Sequence, residues 1–209
     1  MEMQPISTGL RELDRLLGGG IPRGVLACLE SPPASQYNPL FYRFMEDHKW
    51  LYVSTYRSEA AVNDEFSDLL WRSDICVEHV GVERPIKNMH SALQDLEDDR
   101  HVIVDTTNPL ETAPRESQYV HLLNGLKEYL METGTIAILH STVQDTPPDL
   151  REVTLTVADL VWELEFVVNG QRTENHLTVP KFRSTELVEE VIKLDLGEDV
   201  SIDVSKNIA

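Results

Sequence analysis

Lysine is scarce in this chain: six residues, against twelve arginines and 36 acidic side chains. The formal net charge is −18 and the acids are dispersed ("MEDH", "LEDDR", "LVEEV") instead of gathered into a tail. No basic stripe is available to neutralise phosphates, which argues against direct nucleic-acid binding. Self-repulsion on this scale is costly in dilute buffer and screened at molar salt, so the composition points to an extremely halophilic source. Apolar runs are short, none approaching the roughly eighteen residues of a membrane span. The N-terminus "MEMQPISTGL" lacks the basic and apolar regions of a secretory signal, so a cytoplasmic location is expected. Only two cysteines occur, Cys28 and Cys76, in separate apolar runs without metal-ligand or redox spacing; both read as buried reduced thiols. The seven histidines are too scattered for a metal site.

What is present is a core-forming chain of 209 residues, 41% hydrophobic, the size of one domain spanning 1–209. "TGLRELDRLL" carries Leu10, Leu13, Leu16 and Leu17 at helical spacing, with Thr8 as candidate N-cap and "GGG" (18–20) as its stop. Strands are expected at "VLACL", "WLYVST", "ICVEHV", "HVIVDTT" and "TIAILHS". Helices are expected at "SEAAVNDEFSDLLWR", "HSALQDLED" and "RESQYVHLLNGLKEYLMETG". This alternation predicts an α/β fold with a mostly parallel sheet and helices on both faces. From residue 159 onward the pattern turns to hairpins: two strands around Asn169-Gly170, then a further pair in "EEVIKLDLGEDVSIDV".

The stretch "LESPPASQYNPL" follows the first strand, where a phosphate loop would lie in a parallel-sheet ATPase, yet it contains no glycine and no lysine. Three other segments give it a frame: "ISTGLRELDRLLGGGIPRG" at the start, "HVIVDTTNPLE" in the middle, and "ADLVWEL" with "LTVPKFRST" near the end. Together they resemble the KaiC-like branch of the RecA-superfamily ATPases over nearly the whole chain. The resemblance implies a RecA-like three-layer fold. Laid on the family's loop G-P-P-G-S-G-K-T, this chain reads S-P-P-A-S-Q-Y-N from Ser31 to Asn38. Pro32, Pro33 and Ser35 keep the register. Ser31, Ala34 and Gln36 replace the glycines that fold the backbone into a nest of N–H donors. Tyr37 stands where lysine neutralises the β- and γ-phosphates, and Asn38 where a hydroxyl binds magnesium. The family's catalytic glutamates, after the second strand, are replaced by Tyr56 and Arg57. Asp105 corresponds to the aspartate that ends the family's Walker B strand.

The reading is therefore a dismantled ATPase without catalytic residues, cofactor or metal, kept as a regulatory or signal-transduction protein. The alternative is an ATP-binding, non-hydrolysing switch whose atypical nucleotide site uses Ser31, Ser35, Gln36, Tyr37, Asn38 and Asp105. Lys181 and Arg183 match the family's Lys-x-Arg element, which in assembled relatives reaches toward a neighbour's γ-phosphate. The resemblance accordingly implies a partner that is a second copy or another KaiC-like, RecA-fold protein, with Lys181 and Arg183 facing it. A Ser141–His140–Asp105 triad is set aside, because adjacent residues on one strand point to opposite faces and no Gly-x-Ser-x-Gly elbow is present.

Overall fold

The computed structural model describes residues 4–67, 73–94, 96, 97, 99–169, 172–183, 188–196 and 200–202. In chain order the elements are α1 (Arg11–Leu16), β1 (Leu26–Ser31), α2 (Asn38–Met45), β2 (Lys49–Ser54), α3 (Glu59–Glu65), β3 (Asp74–His79), α4 (Pro85–Gln94) and β4 (His101–Asp105). They continue with α5 (Asn108–Glu111), α6 (Glu116–Thr133), β5 (Ala137–Thr142), α7 (Arg151–Val157), β6 (Leu160–Asn169), β7 (Arg172–Phe182), β8 (Val188–Leu196) and β9 (Val200–Ile202).

Among the described residues nine strands form one sheet in the order β3-β2-β4-β5-β1-β6-β7-β8-β9. The first six of these are mutually parallel, and β7, β8 and β9 continue as antiparallel hairpins. Strands β1, β4 and β5 carry long apolar runs because both sheet faces are covered. On one face Leu13, Phe41, Phe44, Val62 and Phe66 pack from α1, α2 and α3. On the other, Met89, Leu110, Leu122, Leu126 and Leu130 pack from α4, α5 and α6. The expected α/β three-layer architecture, with its antiparallel C-terminal hairpins, is what the chain adopts.

Two glycines of the opening motif are there for close approach. Gly9 (φ 74°) would place a Cβ 2.7 Å from the Arg43 carbonyl oxygen of α2, and Gly20 (φ 126°) would place one 2.4 Å from the Ile6 carbonyl. They let residues 6–21 close through the Ile6–Ile21 bridge and sit on the core.

Several local expectations need correction. Thr8 does not cap α1: Leu10 is the N-cap residue, and the Thr8 hydroxyl instead donates to Asp14 Oδ1 at 2.6 Å. Helix α4 begins at Pro85, five residues before the expected start, because proline at the first turn favours a helix N-terminus instead of breaking it. Cys28 is buried, but Cys76 is exposed on the edge strand β3. Pro180 lies inside β7, where Val161 pairs with Lys181 and Glu163 with Thr178, so two residues face Trp162 at a bulge. It also lies beyond Val179, the last β7 residue paired with β8, so no ladder hydrogen bond is asked of it there. Of the expected Asn-Gly turn, Gly170 lies outside the described residues, as do Leu69, Leu70 and Trp71 of the expected helix "SEAAVNDEFSDLLWR".

Candidate functional site

The site is built at the carboxyl ends of β1, β4 and β5, where a parallel sheet presents its loops. Ser31 ends β1, Asp105 ends β4, and His140 lies on β5 in register with Asp105. Tyr37 is the N-cap residue of α2, and Tyr52 and Arg57 come from β2 and the turn that follows it.

These residues converge on one carboxylate. Asp105, 4% exposed, accepts from Tyr37 Oη (3.1 and 3.3 Å to its two oxygens) and from Tyr52 Oη. Arg57 Nη2 lies 2.9 Å from Oδ2, and His140 Nδ1 lies 2.7 Å from Oδ1. His140 Nε2 in turn meets Ser31 Oγ at 2.9 Å, while the Tyr37 ring packs on the imidazole at a centroid distance of 3.9 Å. Burial alone would raise the Asp105 pKa; the hydrogen bond from His140, then those of Tyr52 and the Arg57 guanidinium, outweigh it and hold the carboxyl below its ordinary value. Tyr37 and Tyr52 are pushed upward, first by burial and then by the adjacent Asp105 charge, so both remain neutral donors.

A second carboxylate clamps the rim. Glu65 of α3 accepts from Asn38 Nδ2 at 2.8 Å, from Tyr42 Oη, and from Arg57. Arg57 thus bridges Asp105 and Glu65, tying β2 to α2, α3 and β4. Ser35 closes a turn through its backbone N–H to the Pro32 carbonyl (2.9 Å), and its hydroxyl is buried without a hydrogen-bond partner among the described residues. Gln36 takes no part in this network.

A magnesium nucleotide does not fit these residues as they stand. Both oxygens of Asp105, the carboxylate that would face magnesium, are engaged by Arg57, two tyrosines and His140. The cation at that carboxylate is the Arg57 guanidinium, and Tyr37 presents a phenol to it. Among the described residues, no three His, Cys, Asp or Glu side chains cluster as a metal site.

The order Ser31–His140–Asp105 has the connectivity of a catalytic triad. Ser31 and His140 are fully buried and the Tyr37 ring covers the imidazole, so no substrate carbonyl can reach the serine. Ser141 points the other way, to Thr107 Oγ1 at 2.6 Å and to Glu111 Oε1 at 3.3 Å. There it joins a buried network in which Arg151 pairs with Glu111 at 2.9 Å and Glu30 at 2.8 Å.

Lys181 and Arg183 lie apart from this cluster. Lys181 Nζ donates to the carbonyls of Leu155 and Thr156 (3.0 Å to the latter), and Arg183 donates to Thr156 O. Arg183 also lies 3.6 Å from Asp159. Both cations therefore sit on the C-terminal turn of α7, which attracts positive charge. Sequence reasoning placed Asp105, Tyr37 and Arg57 but missed Tyr52 and Glu65. Tyr52 had a signal, since its hydroxyl needs a partner within an otherwise apolar strand.

The fold defines a class, a three-layer α/β domain with a mostly parallel sheet and antiparallel C-terminal hairpins. The structure is similar to that of the KaiC-like protein PH0186 from the hyperthermophilic archaeon Pyrococcus horikoshii OT3. The TM-score is 0.73 at 14% identity, with 95% of this chain and 98% of the other covered. The chain belongs to a family described as a family of unknown function, DUF7125, whose model matches residues 5–209. A search of curated proteins found no match.

Proposed function

We propose that this protein is a catalytically inactive KaiC-like domain, a pseudo-ATPase that acts as a regulatory or signal-transduction interaction protein. The observation that supports this is the enclosure of Asp105: Arg57, Tyr37, Tyr52 and His140 take every position from which a carboxylate would hold magnesium. Phosphoryl transfer depends on positioning and charge neutralisation, and the residues that would supply both are replaced by groups that bind one another. What remains is a rigid scaffold without its chemistry, whose partner is a second copy or another KaiC-like, RecA-fold protein. No helix among the described residues is long and apolar enough to cross a membrane. Lys181 and Arg183 serve such a partner only by leaving the α7 carbonyls they now cap.

The test is thermal unfolding with ATP at about 5 mM, with and without magnesium, in about 2–3 M KCl, where an acidic surface is screened. The expected result is no shift in Tm under either condition. A magnesium-dependent rise that disappears in Asp105→Asn overturns the reading in favour of a nucleotide switch, because a ligand that binds the native state stabilises it by mass action.

A further inference from the structure

A cleft of about 760 Å³ opens between the first turns of α4 and the segment joining α5 to α6. Its position is separate from the Asp105 cluster, and of its lining residues Pro109 alone falls within the motif segments of the sequence. Four cationic or cationisable side chains line it: Arg84, Lys87, His90 and His121. No carboxylate is among its lining residues, in a chain with twice as many acids as bases. Arg84 and Lys87 are exposed, and among the described residues neither has a salt-bridge partner. By contrast Arg43, Arg57, Arg100 and Arg151 are each paired with a carboxylate. The His90 and His121 rings face one another across 6.0 Å. Ile86, Pro109 and Ala113 give the cleft an apolar surface.

We propose that this cleft binds a small organic anion, an apolar body carrying a phosphate or carboxylate head. The volume is that of a small-molecule site, and such sites join apolar walls to a few convergent polar groups. Concentrating unpaired cations within an acidic surface makes the cleft a local well for anions, while its apolar walls require that the anion carry a hydrophobic body. The head would lie between Arg84 and Lys87 with the histidines as further donors, and the body against Ile86 and Pro109. Helix α5, which carries Pro109, begins three residues after Asp105, so an occupant touches the element next to the remodelled site.

Isothermal titration in about 1 M KCl tests this with four probes: 1-naphthyl phosphate, 1-naphthoate, inorganic phosphate and 1-naphthol. At least one aromatic anion is expected to bind saturably with Kd below about 1 mM, and inorganic phosphate and 1-naphthol at least about tenfold more weakly. Which anion binds better assigns the head group. The double variant Arg84→Glu, Lys87→Glu is expected to weaken binding at least about tenfold while its Tm stays unchanged, because both side chains are exposed. Absence of saturation by both aromatic anions at about 10 mM, equal binding of 1-naphthol, or unchanged affinity in the double variant each overturns the proposal. Failure of the pseudo-ATPase reading is distinguishable: it shows as magnesium-dependent ATP binding that the charge reversal leaves intact.

Discussion

The residue that decides the chemistry is Asp105, and its environment makes a quantitative claim. A carboxylate that is 4% exposed survives as an anion only if its partners replace water, and Arg57, His140 and two phenols do so. Removing the charge while keeping the shape leaves Arg57 facing an amide and His140 with a weaker acceptor. Asp105→Asn is therefore expected to destabilise the fold by about 3 kcal/mol in denaturant unfolding at neutral pH, since breaking one side of a buried pair costs about 3–5 kcal/mol. Arg57→Met should cost less, because the arginine side chain is 30% exposed and its methylenes are replaced. The two changes should be non-additive by more than about 1 kcal/mol. The pH dependence has a definite sign. The folded-state pKa of Asp105 is depressed, so its contribution is complete above the unfolded value of about 3.9 and is lost as pH falls through the folded value. The difference between wild type and Asp105→Asn should accordingly shrink as the pH falls below about 4.

At the scale of elements, what was legible in the sequence followed the strength of the local signal. The buried strands β1, β4 and β5 and the long helix α6 announce themselves by apolar runs and by 3.6-residue periodicity closed at Gly134. Helix α7 was missed because "REVTLTV" is rich in β-branched residues of low helix propensity, and tertiary bonds hold it instead. Arg151 anchors its first turn to Glu111 and Glu30, and Lys181 and Arg183 take up carbonyls of its last. The same separation explains the candidate site. Tyr37 and Arg57 could be placed by register against a family pattern, whereas their convergence on Asp105 depends on side chains 48 and 68 residues apart in sequence meeting in space. The α7 contacts give Lys181 and Arg183 a measurable role within the chain. Lys181→Ala with Arg183→Ala should lower stability by about 1–2 kcal/mol, the sum of two helix-terminal charge and hydrogen-bond contributions. A pair held free for a neighbouring subunit would leave the isolated chain's stability unchanged and alter only its association, so unfolding and light scattering on the same variant separate the two roles.

For the whole molecule the governing quantity is charge. With a net −18 on 209 residues, the acids repel one another wherever bases are not interleaved, and few bases are available for that. Several of the arginines and lysines are already committed to particular structural pairs, Arg57 with Asp105, Arg151 with Glu111 and Lys127 with Asp159 among them. The surplus negative charge therefore lies on the surface, where screening is most effective: the Debye length falls from about 10 Å at 0.1 M salt to about 3 Å at 1 M. Surface repulsion should be relieved over that range, whereas the enclosed Asp105 and Glu111 pairs, being desolvated, should respond little. Wild-type stability is thus expected to rise steeply with KCl up to about 1–2 M and then flatten, with the Asp105→Asn deficit nearly constant throughout. Denaturation by urea, which adds no ionic strength, measures both curves on the same footing. If the stability of the wild type were flat from about 0.1 to 2 M KCl, the acidic surface would be an incidental feature of composition and the halophilic reading would fall. If instead the Asp105→Asn deficit shrank in parallel with the surface term, the cluster around that carboxylate would be open to solvent, and the enclosure that excludes magnesium would not hold in solution.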